Sequence, residues 1–137
     1  MIELADTSAW TVRHRAFELQ SDFDARVSAG QIATCRPVVL ELLTEARSAT
    51  EVERRREGLD VLRDISVRRR EWDRAADVMH ELSSLGGGRH RLPVLDLLIA
   101  AAAEAAEVPV LHYDRHFELI AEVTGQPLRA IAPLGSL

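Results

Sequence analysis

Short runs of apolar and β-branched residues alternate along the chain with longer stretches whose apolar positions recur at helical spacing. IELA at 2–5, QIATC at 31–35, DISV at 64–67, VPVLHY at 108–113 and LRAIA at 128–132 read as strands. Between them the pattern is helical: one or two helices before Gly30, one opening at Pro37, one around 51–63, one over 70–84, one opening at Pro93 and one over 115–124. Strand and helix in alternation imply parallel pairing and a sheet covered on both faces. The expected architecture is α/β: one domain over residues 1–137 with a central parallel sheet of about five strands. GGGRHR at 86–91 is the one clear flexible insertion, too short for a domain linker.

A chain of 137 residues can bury a real core without staples. Its one cysteine, Cys35, has no internal partner, and no basic segment followed by an apolar one opens the sequence. The protein is therefore expected in the cytoplasm. The longest apolar run, LLIAAAAEAAEV, is interrupted by Glu104 and Glu107 and falls short of the roughly 20 residues a membrane span requires. All 17 basic residues are arginine, against 22 acids. A GC-rich genome accounts for part of that bias, but the absence of lysine still excludes chemistry. Phosphate loops of the Walker type, receiver domains and haloacid-type phosphatases all use one. The net charge of −5 also argues against broad electrostatic capture of nucleic acid, so any such chemistry must use local patches.

Most of the acids lie on polar helix faces, as in EVERRRE, where Glu51 and Arg55 are spaced to pair. Four lie among apolar neighbours instead: Asp6 in IELADTSA, Glu41 in PVVLELLT, Asp96 in LPVLDLLIA and Asp114 in VLHYD. A buried, unpaired carboxylate is costly enough that it neutralises or finds a partner. In a parallel sheet, Asp6 and Asp114 emerge at the carboxyl ends of their strands. Pro37 and Pro93 mark first helical positions, which places Glu41 and Asp96 in the first turn or just beyond. Crossover helices begin at that same edge, so all four acids gather where open α/β sheets bind ligands. Like charges ~5 Å apart repel by about 1 kcal/mol per pair in water and by several times that in a protein. The neutralising cation is then an arginine or a divalent metal. Oxygen ligation without a His/Cys set favours Mg²⁺ or Mn²⁺, an ion suited to phosphodiester hydrolysis, with Asp6 and Asp96 its main ligands. Taken singly, Asp6 or Glu41 reads equally as a helix cap or a ligand; the convergence carries the weight.

The opening DTSAW after a short strand, the Glu41 helix, PVLDLLIAAAA and LHYDRHFELIA together resemble a PIN-domain endoribonuclease of the VapC toxin type, over nearly the whole chain. The resemblance implies a Mg²⁺- or Mn²⁺-dependent RNase of PIN-like fold, held inactive by a VapB-type antitoxin and dimeric. It makes Asp6, Glu41, Asp96 and Asp114 the catalytic quartet, adds Asp114 to Asp6 and Asp96 as metal ligands, and matches Ser8 to a hydroxyl that follows the first aspartate, at the substrate. Two positions depart from the pattern. Where relatives have Thr two residues before the fourth acid and Asp two residues after it, this chain has His112 and His116. His116 is open to two readings, a ligand or a solvated loop histidine, of which the second is the first choice, and His112 reads as one that packs or hydrogen-bonds at the strand end.

Arg89 and Arg91 precede the Asp96 helix and suit either RNA phosphates or plain loop solubility. Trp10 can stack on a base but reads first as partly buried packing. Val38, Val39, Leu42, Leu43, Leu59 and Leu62 have core spacing, and any apolar surplus around 38–62 would form an antitoxin groove. Two other classes remain open: a metal-dependent phosphatase or DNA nuclease using the same acids, and a PIN-like module that only binds RNA or a partner.

Overall fold

The buried Leu4 and Ala5, followed at once by a polar Asp-Thr-Ser, set the pattern from which the sheet is built. A computed structural model describes all 137 residues. Strands β1 (Glu3–Ala5), β2 (Ile32–Thr34), β3 (Arg63–Asp64), β4 (Val110–His112) and β5 (Leu128–Ala130) form one sheet in the order β3-β2-β1-β4-β5. All four pairings are parallel. Seven helices connect them: α1 (Thr7–Val12), α2 (Phe17–Ser28), α3 (Arg36–Thr44), α4 (Ala49–Asp60), α5 (Arg69–Ser84), α6 (Val94–Ala106) and α7 (Arg115–Thr124), with a 3-10 turn at Arg13–Arg15. The chain thus winds outward from β1 through β2 to β3, then returns to place β4 on the other side of β1. The crevice of an open α/β sheet lies at such a reversal, here between the carboxyl ends of β1 and β4.

The core explains why α6 is so apolar. Asp96 to Ala103 is buried without a break, in a cluster that takes in Leu4, Val38, Leu42, Val78, Leu82, Phe117 and Ile120. The alanines of α6 present little bulk, and α5 lies along it, joined by Arg74, which donates to both carboxylate oxygens of Glu104 at 2.7 and 3.1 Å. On the other face Ala5, Ala9, Phe23, Ile32 and Leu111 make a smaller cluster. No helix is long and apolar enough to cross a membrane.

Several boundaries differ from those expected. β3 spans Arg63–Asp64 rather than DISV; beyond it Ile65 is buried, its N–H donating to the Thr34 carbonyl at 2.8 Å, and Val67 packs against the core without joining the ladder. α4 spans Ala49–Asp60 rather than 51–63, since the Ser48 hydroxyl accepts from the Glu51 N–H at 3.1 Å and so starts the helix early. Pro37 is the second residue of α3, and Pro93 stands just outside α6 as its N-terminal flank. These shifts leave the Asp and Glu positions within the helical turns expected of them.

Candidate active site

Each acid is delivered to the crevice by its own element. Asp6 follows β1 and flanks α1: its N–H donates to Leu111 of β4 at 2.9 Å, and its Oδ2 accepts from the Ser8 N–H at 2.9 Å and the Ser8 hydroxyl at 2.6 Å. Glu41 lies one turn into α3 and accepts from the Thr7 hydroxyl at 2.9 Å. Asp96 is in the first turn of α6. Asp114 follows β4 and caps α7, accepting from the His116 N–H at 2.9 Å. Carboxylate oxygens of Asp6, Glu41 and Asp96 lie within 4.8 Å of one another, and a second set from Asp96, Asp114 and His116 meets the same limit. Asp96 belongs to both sets, so the four expected acids form one continuous cluster.

No arginine pairs with any of the four, which removes one of the two cations that sequence alone allows. The one basic group among them is His116. Its Nδ1 lies 2.9 Å from Asp96 Oδ2 and 3.1 Å from Asp114 Oδ1. The reading of His116 as a solvated loop side chain is therefore corrected: α7 begins at Arg115, and the helix turns the ring inward between two carboxylates. His112 fits its expected role. It is buried, its ring tilts against Phe117 at 5.4 Å, and its Nδ1 accepts from the Asp114 N–H at 3.1 Å. Ser8, expected at the substrate, is instead engaged within the protein, donating to Asp6 and accepting from the Tyr113 N–H at 2.9 Å. It fixes Asp6 against β4. The Thr7 hydroxyl, which holds Glu41, has no signal in the sequence beyond its place beside Asp6.

The electrostatics follow from this crowding. Burial pushes the Asp6 carboxyl up, an effect eased by the Ser8 and Thr7 contacts and increased by the Asp114 charge. Burial likewise raises Glu41, with Asp6 adding to it. Asp96 is pushed up to about 6, by burial first and by the Asp6 charge second. Asp6 Oδ1 is buried with no hydrogen-bond partner. An orphaned carboxylate oxygen facing two further acids is a place for a cation. An octahedral ion with ligands at about 2.1 Å holds opposite donors about 4.2 Å apart, a spacing that small side-chain adjustments would reach here. The residues present thus fit a divalent metal.

Arg89 and Arg91 are exposed in the turn before α6, and neither pairs with an acid; the Arg89 guanidinium donates to Leu85 at 3.4 Å. Trp10 packs edge-on against Phe23 at 4.7 Å, as its packing reading expects, and the Arg13 guanidinium lies 5.0 Å over its ring.

The sequence pattern of the PIN domain matches residues 4–123. Ribonuclease VapC18 of Mycobacterium tuberculosis is 41% identical over 138 residues, covering 100% of both chains. This chain belongs to the PIN-domain family of VapC ribonucleases. A second relative, ribonuclease VapC51 of the same organism, is 38% identical over 80% of this chain and 78% of its own length. Among solved structures, VapBC-1 from nontypeable Haemophilus influenzae superposes with a TM-score of 0.73 over 96% of this chain and 98% of that one, at 15% identity, which establishes likeness of fold.

Proposed function

We propose that this PIN domain is the toxin of a toxin-antitoxin pair, a Mg²⁺- or Mn²⁺-dependent endoribonuclease whose catalytic acids are Asp6, Glu41, Asp96 and Asp114. The observation that carries this reading is the gathering of four carboxylates, from four different elements, into one cluster joined through Asp96, in which Asp6 keeps an unpartnered oxygen, Oδ1. Kinship with VapC18 and VapC51 supports RNA as the substrate, and work in the cytoplasm accords with such a substrate. Asp6, Asp96 and Asp114 would hold the metal, which when bound supplies activation of water and neutralisation of the phosphate's charge. Ser8 keeps the Asp6 carboxylate aimed into the crevice, and Thr7 does the same for Glu41. Glu41, with its proton affinity raised by burial and by Asp6, is suited to receive a proton from attacking water. Arg89 and Arg91, at the mouth of α6 and free of internal ion pairs, can draw in the RNA backbone.

An antitoxin of the VapB kind would bind beside this site. A groove of about 500 Å³ is lined by Leu42, Arg55, Leu59 and Leu62, within the region 38–62 expected from sequence, and by Trp10 and Arg13 from outside it. Within it Trp10 Nε1 and Arg13 Nε are buried donors without acceptors. An apolar helix docked here would cover the leucines that line the groove. Leu42 follows Glu41 and Trp10 lies one turn from Asp6, so a chain leaving the groove reaches the carboxylates directly. There a guanidinium could bridge two of them and take the metal's place. Exposed Leu40 and Val94, on the helices that carry Glu41 and Asp96, offer apolar surface for the homodimer that the VapC likeness suggests.

Expression of the chain alone in a bacterial host tests the toxin reading. Growth should slow, co-expression of the protein encoded beside it should restore growth, and Asp6→Asn should be harmless. Equal growth of wild type and Asp6→Asn, with no RNA cut by either in the presence of Mn²⁺, would leave a partner-binding module as the better account.

A further inference from the structure

We infer that His116 is a metal ligand of this site and that its imidazole nitrogen biases the site toward a first-row transition cation such as Mn²⁺, away from Mg²⁺. The inference rests on the reading of the carboxylate cluster as a cation site and specifies which ion that site takes.

The two ligand sets that share Asp96 differ in kind. Asp6, Glu41 and Asp96 offer only oxygen, the donor that suits Mg²⁺ and Mn²⁺ alike. Asp96, Asp114 and His116 offer two oxygens and one imidazole nitrogen. Nδ1 stands 2.9 Å from one of those oxygens and 3.1 Å from the other. Adjacent vertices of an octahedron with ligands at about 2.1 Å are about 3 Å apart, so Nδ1 already sits at ligand-to-ligand spacing from both oxygens, and all three donors lie within 4.8 Å of one another. The ring is held there from behind, since His116 lies in the first turn of α7 and its own N–H is anchored on Asp114. The side chain is a little over one-third exposed, so an ion can enter without unfolding the turn. Imidazole is a poor ligand for Mg²⁺, which keeps oxygen and water around itself, and a good one for later divalent ions. An aspartate at the same position would have made this second set all-oxygen. The substitution of nitrogen for oxygen is therefore expected to change ion preference more than ion-binding capacity.

The test uses the whole chain with Mn²⁺ and Mg²⁺ as probes. Calorimetry on wild type should show Mn²⁺ bound more tightly than Mg²⁺, and His116→Asp should narrow that ratio about tenfold. Pulsed paramagnetic resonance of the bound Mn²⁺ should show coupling to a ¹⁴N nucleus that changes to ¹⁵N when only histidine is labelled, and that is lost in His116→Ala. The labelling experiment needs no variant, so it stands even if a substitution unfolds the protein. Mn²⁺ bound with no histidine nitrogen coupling would overturn the assignment of His116 while leaving the carboxylate site intact. No binding of Mn²⁺ at all would overturn both.

Discussion

At the scale of single residues, two carboxylates buried in the same small protein behave in opposite ways. Asp96, held near 6 by burial and the Asp6 charge, carries a penalty in its ionised form. Between its unfolded value of 3.8 and about 6 the folded protein binds a proton that the unfolded chain has released. In the absence of a divalent cation its contribution to stability therefore grows as pH falls from 7 toward 4. The favourable position in the first turn of α6 recovers only about 0.3–1 kcal/mol of this. Asp96→Asn is expected to stabilise the cation-free protein at pH 7 by on the order of 1–3 kcal/mol, with the gain fading toward pH 4. Denaturant titrations at both pH values measure it, and a loss at pH 7 would mark Asp96 as a structural cap. Glu3 is the contrast. It has no solvent exposure, and burial alone would raise its carboxyl, but Arg129, donating at 2.7 and 2.8 Å, and Arg26 together outweigh burial and hold it below the usual range. That stability is present above the unfolded value of 4.5 and is lost as pH falls through the lowered folded value. Glu3→Gln should cost about 1.5–3 kcal/mol at pH 7. The same titrations should show the deficit closing in acid.

At the scale of elements, the sequence discloses what depends on local periodicity and hides what depends on distant partners. β1, β2 and β4 are legible because each is a short apolar run cut off by polar residues, and α6 because apolar residues fill every face of it. The four acids are legible for the same reason in reverse: a carboxylate in an apolar setting calls for a partner, and parallel topology supplies the common edge. β3 is misplaced because its register is set by pairing with β2, and its own two residues are exposed. The Thr7 to Glu41 bond and the His116 to Asp96 contact span 34 and 20 residues, so no local pattern announces them. Position 116 falls inside the helix expected over 115–124, yet nothing local shows that its ring meets Asp96 of another helix. The groove invites a test at this scale. Gly58 lies on α4 at its rim, has ordinary helical backbone, and a Cβ built there meets nothing within 4 Å. Gly58→Gln should leave the fold as stable or more so, since glycine inside a helix costs roughly 0.5–1 kcal/mol relative to alanine. It should also weaken antitoxin binding at least tenfold, about 1.4 kcal/mol, without changing RNA cleavage. Calorimetry with the purified partner checks the first effect, and undiminished affinity would move the docking site elsewhere.

At the scale of the whole molecule, the charge distribution reconciles an acidic protein with an anionic substrate. A net charge of −5 repels RNA at a distance, yet the cluster at the β1–β4 crevice carries the local excess that a divalent cation reverses. Away from the crevice, part of the remaining charge is neutralised by arginines paired with acids, as Arg55 is with Glu51 at 2.8 Å. On the proposed metal-dependent mechanism, metal binding and substrate binding are coupled: without a cation the crevice would reject phosphate, and with one it would attract it. The most direct measurement of this account is the initial rate of RNA cleavage by the purified chain with Mn²⁺, compared with Asp6→Asn and with wild type in chelator. The account predicts cleavage by wild type that chelation abolishes, and a fall of at least a hundredfold, about 2.7 kcal/mol of barrier, in Asp6→Asn with folding unchanged. Cleavage at the wild-type rate by folded Asp6→Asn, or cleavage that persists in chelator, would contradict it.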